Sequence, residues 1–416
     1  MFKFNLQMFA NENNPNMNVQ VTTMNSVGND LSPQMKEFYD TQLLENVRED
    51  HYFNQFGQRQ PLPKGNGDTV EWRKIDTFDP ATKPLTEGVT PDGHSINYTK
   101  VKAKIEQFGD YVTLSDRLQM EAIDPVISNV TEESAAQAAD TLEIITRDAV
   151  TAGTNVMYGG SKTSRHTLEK TDKLTATMVN KIDTFLKKMK APKINGSYVC
   201  VIHPDVAEDL RESQAWLEAH KYSATTEIFN GEIGKLHNIR FVESTECKVY
   251  YGADLASDAR NLKVSSVSNN VVTFTGGTVA ADSLVGRYVL LDNKYYVAAN
   301  DTTTMTLMDA VAHTTAATLT GVSANDVIYP GEGGKAGIAT YGLVAFGKDA
   351  YGRVEPTAES LQMLVKQLGA GGTSDPLNQR STVGWKASHA AKILYQERIL
   401  RIEVGSSYSD VVTEGN

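Results

Sequence analysis

The segment from Asp375 to Lys386, continued by Ile393 to Arg398, constrains the fold more than any other part of the chain. A glycine-punctuated stretch from Gly369 to Gly372 feeds a polar turn, and Trp385, Ala387, His389, Ala391 and Ile393 then fall on every second position. Successive side chains of a strand point to opposite faces, so this spacing predicts a long strand with one face buried. Nothing in the segment has catalytic logic; it reads as scaffold.

At 416 residues the chain is longer than one ordinary core requires, and two or more lobes are expected. Hydrophobic residues make up 40% and charged residues 22%, close to globular averages, and no apolar run approaches the roughly 20 residues that span a bilayer. The opening Met1 to Ala10 is interrupted by Asn5 and Gln7, so it does not read as a signal peptide. Cys200 and Cys247 have no metal-like spacing and read as buried thiols in a reducing compartment. The net charge of −11 argues against a protein that coats nucleic acid, because neutralising phosphates takes a basic face.

Residues Asn11 to Asp30 are rich in Asn, Thr and Met and are expected to form an arm rather than a core. Ser32 and Pro33 read as N-cap and first position of a helix, with Met35, Tyr39, Leu43 and Val47 at helical spacing up to Gly57. Strand character follows: Val70 and Trp72 in one run, then Val101, Ala103 and Ile105 alternating with Lys100, Lys102 and Lys104. An isolated two-stranded ribbon is marginal in water, so one of its faces must lie on another surface. Asp124 and Pro125 open a helix whose stripe of Val126, Val130, Ala138, Leu142, Ile145 and Ala149 runs to Gly153. About 28 residues make a helix roughly 40 Å long. Glu132, Glu133, Asp140 and Glu143 form an acidic face on it, suited to the lysine stripe of a partner's ribbon. An ordinary solvated face shows the same pattern, and exposed ion pairs contribute only about 0–1 kcal/mol each.

From Thr175 helices and strands alternate: Met178 to Met189 as a helix, Tyr198 to Ile202 as an apolar strand, and a helix opening at His203-Pro204-Asp205 and ending near His220. From about Leu255 to Pro330 the style changes. Strand-like runs at 262–267, 271–275, 288–291, 295–298 and 304–307 are punctuated by Asn269-Asn270, Gly276-Gly277, Asp292-Asn293 and Asn300-Asp301, which predicts a small all-β unit.

No catalytic, cofactor or metal site is expected. Asp205 behind Pro204 suits a helix N-terminus without any ligand, and Asp205, Glu208 and Asp209 make a poor metal cluster. Gly331 to Ala336 lacks both the distant leading Gly and the Ser or Thr of a phosphate loop.

Several segments resemble a tailed-phage major capsid family, the one related to the coat protein of coliphage N-four and built on the HK-ninety-seven-type capsid fold. They are the Asp375–Arg398 region, Val70 to Arg73, Pro84 to Pro91, Gly231 to Leu236 leading to Ile239 to Glu243, and Phe346 to Gly352. The resemblance covers most of the chain outside the first 30 residues and the 255–330 stretch. It implies an α+β subunit with an N-terminal arm (1–56), an E-loop ribbon (57–116), a peripheral domain carrying a long spine helix (117–170 and 357–416), an axial domain (171–254 and 331–356) and an inserted β domain (255–330). It implies a coat protein that self-assembles through pentamers and hexamers into an icosahedral head in the host cytoplasm. Scaffolding, portal and decoration proteins would be partners, and packaged double-stranded DNA would be touched only weakly. Trp72, Arg73, Lys100, Lys102, Lys104, Glu132, Glu133, Asp140 and Glu143 are the expected inter-subunit contacts. The cross-link of some members is expected to be absent, with His389 and Gln396 standing where its Asn and Glu belong. A phage tail or baseplate protein is the structural alternative. An α/β enzyme is the other, disfavoured because no nucleophile sits on a Gly-flanked strand-to-helix turn.

Overall fold

The computed structural model describes residues 51–63, 67–75, 95–121, 126–214, 232–356, 361–368 and 377–409, with single positions between and beyond them. The arm and its Ser32–Pro33 helix start, the Asp124–Pro125 start, the helix end near His220, and Gly369, Gly371, Gly372, Asp375 and Pro376 lie outside the described residues.

In chain order, α1 (Phe53–Phe56) leads to β1 (Gln58–Leu62), β2 (Thr69–Ile75), β3 (Tyr98–Lys104) and β4 (Glu106–Ser115), then α2 (Asp116–Glu121) and the 26-residue α3 (Val126–Thr151). Next come β5 (Val156–Tyr158), α4 (Ala176–Lys188), β6 (Tyr198–Ile202), α5 (Pro204–Glu212), β7 (Glu232–Leu236), β8 (Ile239–Glu243) and β9 (Lys248–Tyr250). Six strands follow: β10 (Leu262–Ser268), β11 (Val271–Thr275), β12 (Tyr288–Leu290), β13 (Lys294–Asn300), β14 (Thr304–Asp309) and β15 (Val327–Pro330). The chain ends with β16 (Thr340–Phe346), β17 (Tyr351–Pro356), β18 (Leu361–Lys366), β19 (Arg380–Ile393) and β20 (Ile399–Val404).

The strand expected from the alternation at Trp385 is β19, 14 residues long. It pairs with β4 from Arg380↔Ser115 to His389↔Glu106, with β18 from Leu361↔Ala387 to Lys366↔Thr382, and with β17 over its last four residues. Its burial is two-sided rather than half-sided. Trp385 and Ala387 pack on Ala138 of α3, while Ala390 on the opposite face packs with Val354 under Val70 and Ala103 of the β2–β3 ribbon. Small residues read as weak core signals, yet here Gly384, Ser388 and Ala390 let other backbones approach. A Cβ on Gly384 would stand 2.6 Å from Cβ of Tyr111.

The buried side of α3 is also rotated from the expected stripe. Ser134, Ala138, Glu143, Thr146, Arg147, Val150 and Thr151 are buried, whereas Val126, Val130, Leu142, Ile145 and Ala149 are only half-buried. Of the buried polar side chains, Glu143, Thr146 and Arg147 find partners inside, and the exposed Gln137 flanks them. Trp385 donates its indole N–H to Gln137 Oε1 at 3.0 Å, Thr146 bonds His389 Nε2 at 2.9 Å, and Arg147 donates to the Glu246 carbonyl at 3.1 Å.

A second sheet, ordered β5-β20-β16-β6-β8-β7 with β9 on β16, forms the centre of the molecule. β6 is apolar at every position because both of its faces are covered. Tyr198, Cys200 and Ile202 meet the core of α4 and α5, while Val199 and Val201 point to Phe53, Val150 and Tyr351. Thr175 caps α4 by accepting the Met178 N–H. α5 is interrupted after Glu212, where Ser213 turns to extended backbone (φ −66, ψ 133) and its hydroxyl donates to the Leu210 carbonyl; Gln214, Trp216 and Glu218 are again helical.

The late strands β10-β11-β14-β13-β12-β15 close into a barrel around Leu262, Val264, Val272, Phe274, Val289, Val297, Met305, Leu307 and Ile328. Asn269, at φ 55, makes the left-handed turn between β10 and β11. The sequence reading missed β15, whose four residues end in Pro330; it closes the barrel on β10 through Lys263↔Val327, so the barrel begins and ends side by side. Arginines join it to the rest: Arg260 donates to the Tyr251 and Gly252 carbonyls, and Arg287 to those of Ala253 and Asp254.

Trp385→Ala empties the contact between α3 and β19 and leaves Gln137 without its indole donor. Loss of about 3–5 kcal/mol is expected, read as a lower urea midpoint for the subunit. A midpoint unchanged from wild type would show that α3 is not held there.

Candidate inter-subunit interface

β2 and β3 form a two-stranded ribbon in register from Thr69↔Lys104 to Ile75↔Tyr98, while β1 and β4 on either side of it pair with β17 and β19. Strand alternation gives the ribbon two unlike faces. Val70, Trp72, Val101 and Ala103 turn inward, and the indole of Trp72 lies over Gly352, where an added Cβ would stand 2.9 Å from Cζ2. Lys74 follows the same face down to Glu397 at 3.5 Å. The inner face is therefore seated on the chain's own body, and Trp72 belongs to that seat.

The outer face carries Glu71, Arg73, Lys100, Lys102 and Lys104. Glu71 is the only acid among them; Arg73 lies 3.1 Å from it, Lys100 3.4 Å and Lys102 4.0 Å. The Arg73 hydrogen bond, with Lys100 beside it, holds the Glu71 carboxyl below the usual carboxylate range. One carboxylate does not balance four cations, so this face keeps a net positive charge. Toward the ribbon end the same face becomes apolar: Ile75 and Tyr98 pair across the strands, each 56% exposed, with Phe78, Leu85 and Ile96 exposed beyond them. The sequence reading missed this apolar tip, although Ile75 and Tyr98 continue the period-two positions of Arg73 and Lys100.

The acidic side of α3 is only partly as expected. Glu132 and Glu133 are exposed, and Asp140 is partly exposed with a carboxylate oxygen 2.8 Å from His51 Nε2. Glu143 corrects the expectation, because it is fully buried. Its carboxylate accepts the N–H groups of Phe53 and Asn54, the latter at 2.9 Å, and so satisfies the open amides at the start of α1. Phe53 is sealed in the core below, the Tyr351 hydroxyl donates to its carbonyl, and Thr146 bonds Asn54 Oδ1 at 2.9 Å. A charged residue on a helix reads as solvent-facing from sequence alone; the signal that it turns inward lies 90 residues earlier, in the apolar Tyr52 and Phe53 that cover it. Burial pushes the Glu143 carboxyl up, and the backbone N–H bonds and His51 offset this only in part.

One more surface stands out. On the side of the β4–β19–β18 sheet away from α3, Tyr111, Leu364, Lys366 and Lys386 surround a cleft of about 530 Å³ floored by Gly109 and Gly384. His389, buried at 4% exposure, is bonded to Thr146, and Gln396 accepts the Thr154 N–H at 3.2 Å.

No curated protein sequence matches the chain. The phage capsid protein family matches residues 98–267, from β3 through α3 and the central strands to the first strand of the barrel. Solved structures extend the likeness across nearly all of it. The capsid of Ralstonia phage GP4 is 13% identical and superposes with a TM-score of 0.56 over 95% of this chain and 100% of its own. The cyanophage Pam1 capsid is 11% identical, with a TM-score of 0.55 over 92% and 100%. The capsid of cyanophage P-SCSP1u is 13% identical, with a TM-score of 0.54 over 94% and 100%. At these identities the likeness is one of fold. The family match runs from the second ribbon strand through the long helix to the first barrel strand, inside a fold that phage capsid structures share over nearly the whole chain.

Proposed function

We propose that the chain is the major capsid protein of a tailed bacteriophage, a subunit of the HK-ninety-seven type that assembles through pentamers and hexamers into an icosahedral head around double-stranded DNA. The observation that carries this reading is the two-faced ribbon: one face is seated on its own subunit, and the other offers cations and an apolar tip that stay exposed among the described residues. Apolar surface of that kind on a protruding element marks a contact with another molecule. In this reading the arm (1–56) and ribbon (57–116) reach neighbours. The peripheral part (117–170 and 357–416) and the axial part (171–254 and 331–356) are the rigid body, and 255–330 is an insertion on the outer surface. The acidic balance keeps contact with packaged DNA weak. Scaffolding, portal and decoration proteins would complete the assembly.

Lys100, Lys102 and Lys104 are assigned to an acidic surface of the adjacent subunit, with Glu132 and Glu133 of its α3 as the core of that surface and Asp140 at its margin. Replacing all three lysines by Glu sets like charges together across that interface, which harms assembly far more than folding. The triple variant is expected to be soluble, with wild-type circular dichroism, and to give no closed shells by electron microscopy where the wild type gives them. Normal shells from the variant at low salt would remove the stripe from the interface.

The barrel is expected to be dispensable for closure. Its first and last strands pair with each other, so excising 255–330 and joining the ends with a short Gly linker leaves β9 and β16 in place. Shells are expected from the deletion variant. A subunit that no longer folds would show that the barrel is part of the core.

A further inference from the structure

The clasp at Glu143 has chemistry that shell building does not use. A carboxylate in the middle of α3 is fully buried, and its direct hydrogen-bond donors are backbone N–H groups of the segment that enters from the amino-terminal side. Most titratable or charged groups packed around it have hydrogen-bond partners of their own, although the His51 charge still lowers the Glu143 carboxyl in part. His51 sits on Asp140, one turn earlier on α3. Arg147, one turn later, is turned to Glu246 and Asp148. From β17, Tyr351 gives its hydroxyl to the Phe53 carbonyl, and Arg353 lies within electrostatic reach of that hydroxyl. Cys247 is a buried thiol that burial pushes up, and His389 of β19 is bonded to Thr146. The carboxylate is thus desolvated by the docked segment itself: lifting Tyr52 to Phe56 off α3 returns it to water.

We propose that docking of residues 51–56 on α3 takes up a proton at Glu143, so that mild acid tightens the root of the amino-terminal arm and rising pH loosens it. The direction follows from linkage. Docked, the carboxyl is buried and holds its proton to higher pH than an ordinary glutamate; undocked, it is solvated and ordinary. The docked form therefore binds the proton more tightly. Its advantage is fully present below the solvated value and is lost as pH rises through the docked value. Residues 1–50 precede the clasp in sequence, so the point where they join the described body becomes sensitive to pH while the central sheet does not. This property belongs to the subunit and holds whether or not the capsid reading does.

The test is amide hydrogen exchange of residues 52–56 in the full-length chain between about pH 5 and about pH 8, with intrinsic exchange divided out and the β6 amides as an internal standard. Wild type is expected to lose protection at 52–56 with rising pH, by up to about tenfold per pH unit, the limit for one proton. Glu143→Gln is expected to flatten that slope, and His51→Gln to keep it. A flat wild-type profile overturns the proposal. So does a slope that survives Glu143→Gln, and so does one that His51→Gln abolishes, which would assign the proton to the histidine. If Glu143→Gln does not fold, the wild-type and His51→Gln slopes still decide.

Discussion

Everything outward in this subunit depends on β19 being buried on both faces. Strand pairing fixes β4, β17 and β18 to it, and side chains fix a layer on each side: α3 through Trp385, Ala387 and Ala138, and the ribbon through Ala390, Val354, Val70 and Ala103. A strand enclosed in this way cannot slip by one residue without turning Trp385 outward and Lys386 inward. The register of one strand therefore sets where the long helix lies and where the ribbon leaves the body.

The parts that leave the body share a design. The ribbon's inner face and the arm root each make a specific seat, with Trp72 over Gly352 in one and Phe53 under Glu143 in the other. Two strands alone are marginal in water, so the cationic and apolar outer face of β2–β3 gains most of its order from whatever covers it. In a shell subunit that is an advantage, because surface satisfied only by neighbours ties the order of the ribbon to assembly. The barrel is built the opposite way, with its own closed core and a collar of arginine-to-carbonyl bonds at its base.

The frame was legible in the sequence wherever a single physical rule governed it. Period two revealed β19 and both ribbon strands, a continuous apolar run marked β6, Pro204 behind His203 marked the start of α5, and paired turn residues outlined five of the six barrel strands. What stayed hidden needed partners distant in sequence. Thr146 and Glu143 look like solvent-facing residues of α3 until β19 and the arm root supply their hydrogen bonds. Residues 106–115 read as more ribbon until β19, paired from Arg380↔Ser115 to His389↔Glu106, claims them from far along the chain. Of the expected contact residues, Arg73 and the three lysines were legible because charge alternating with Val101 and Ala103 has one interpretation on a strand. Trp72 shares that alternation, but whether an indole faces its own body or a neighbour depends on Gly352, which no local pattern connects to it.

The central claim is that the ribbon is an element completed by another subunit. Hydrogen exchange on the free subunit and on the assembled particle tests it most directly, with β19 as the reference. The expected result is that β19 is protected in both states, while amides of 69–75 and 98–104 are weakly protected in the free subunit and strongly protected after assembly. Ribbon amides equally protected in both states, or still open in the assembled particle, would contradict it.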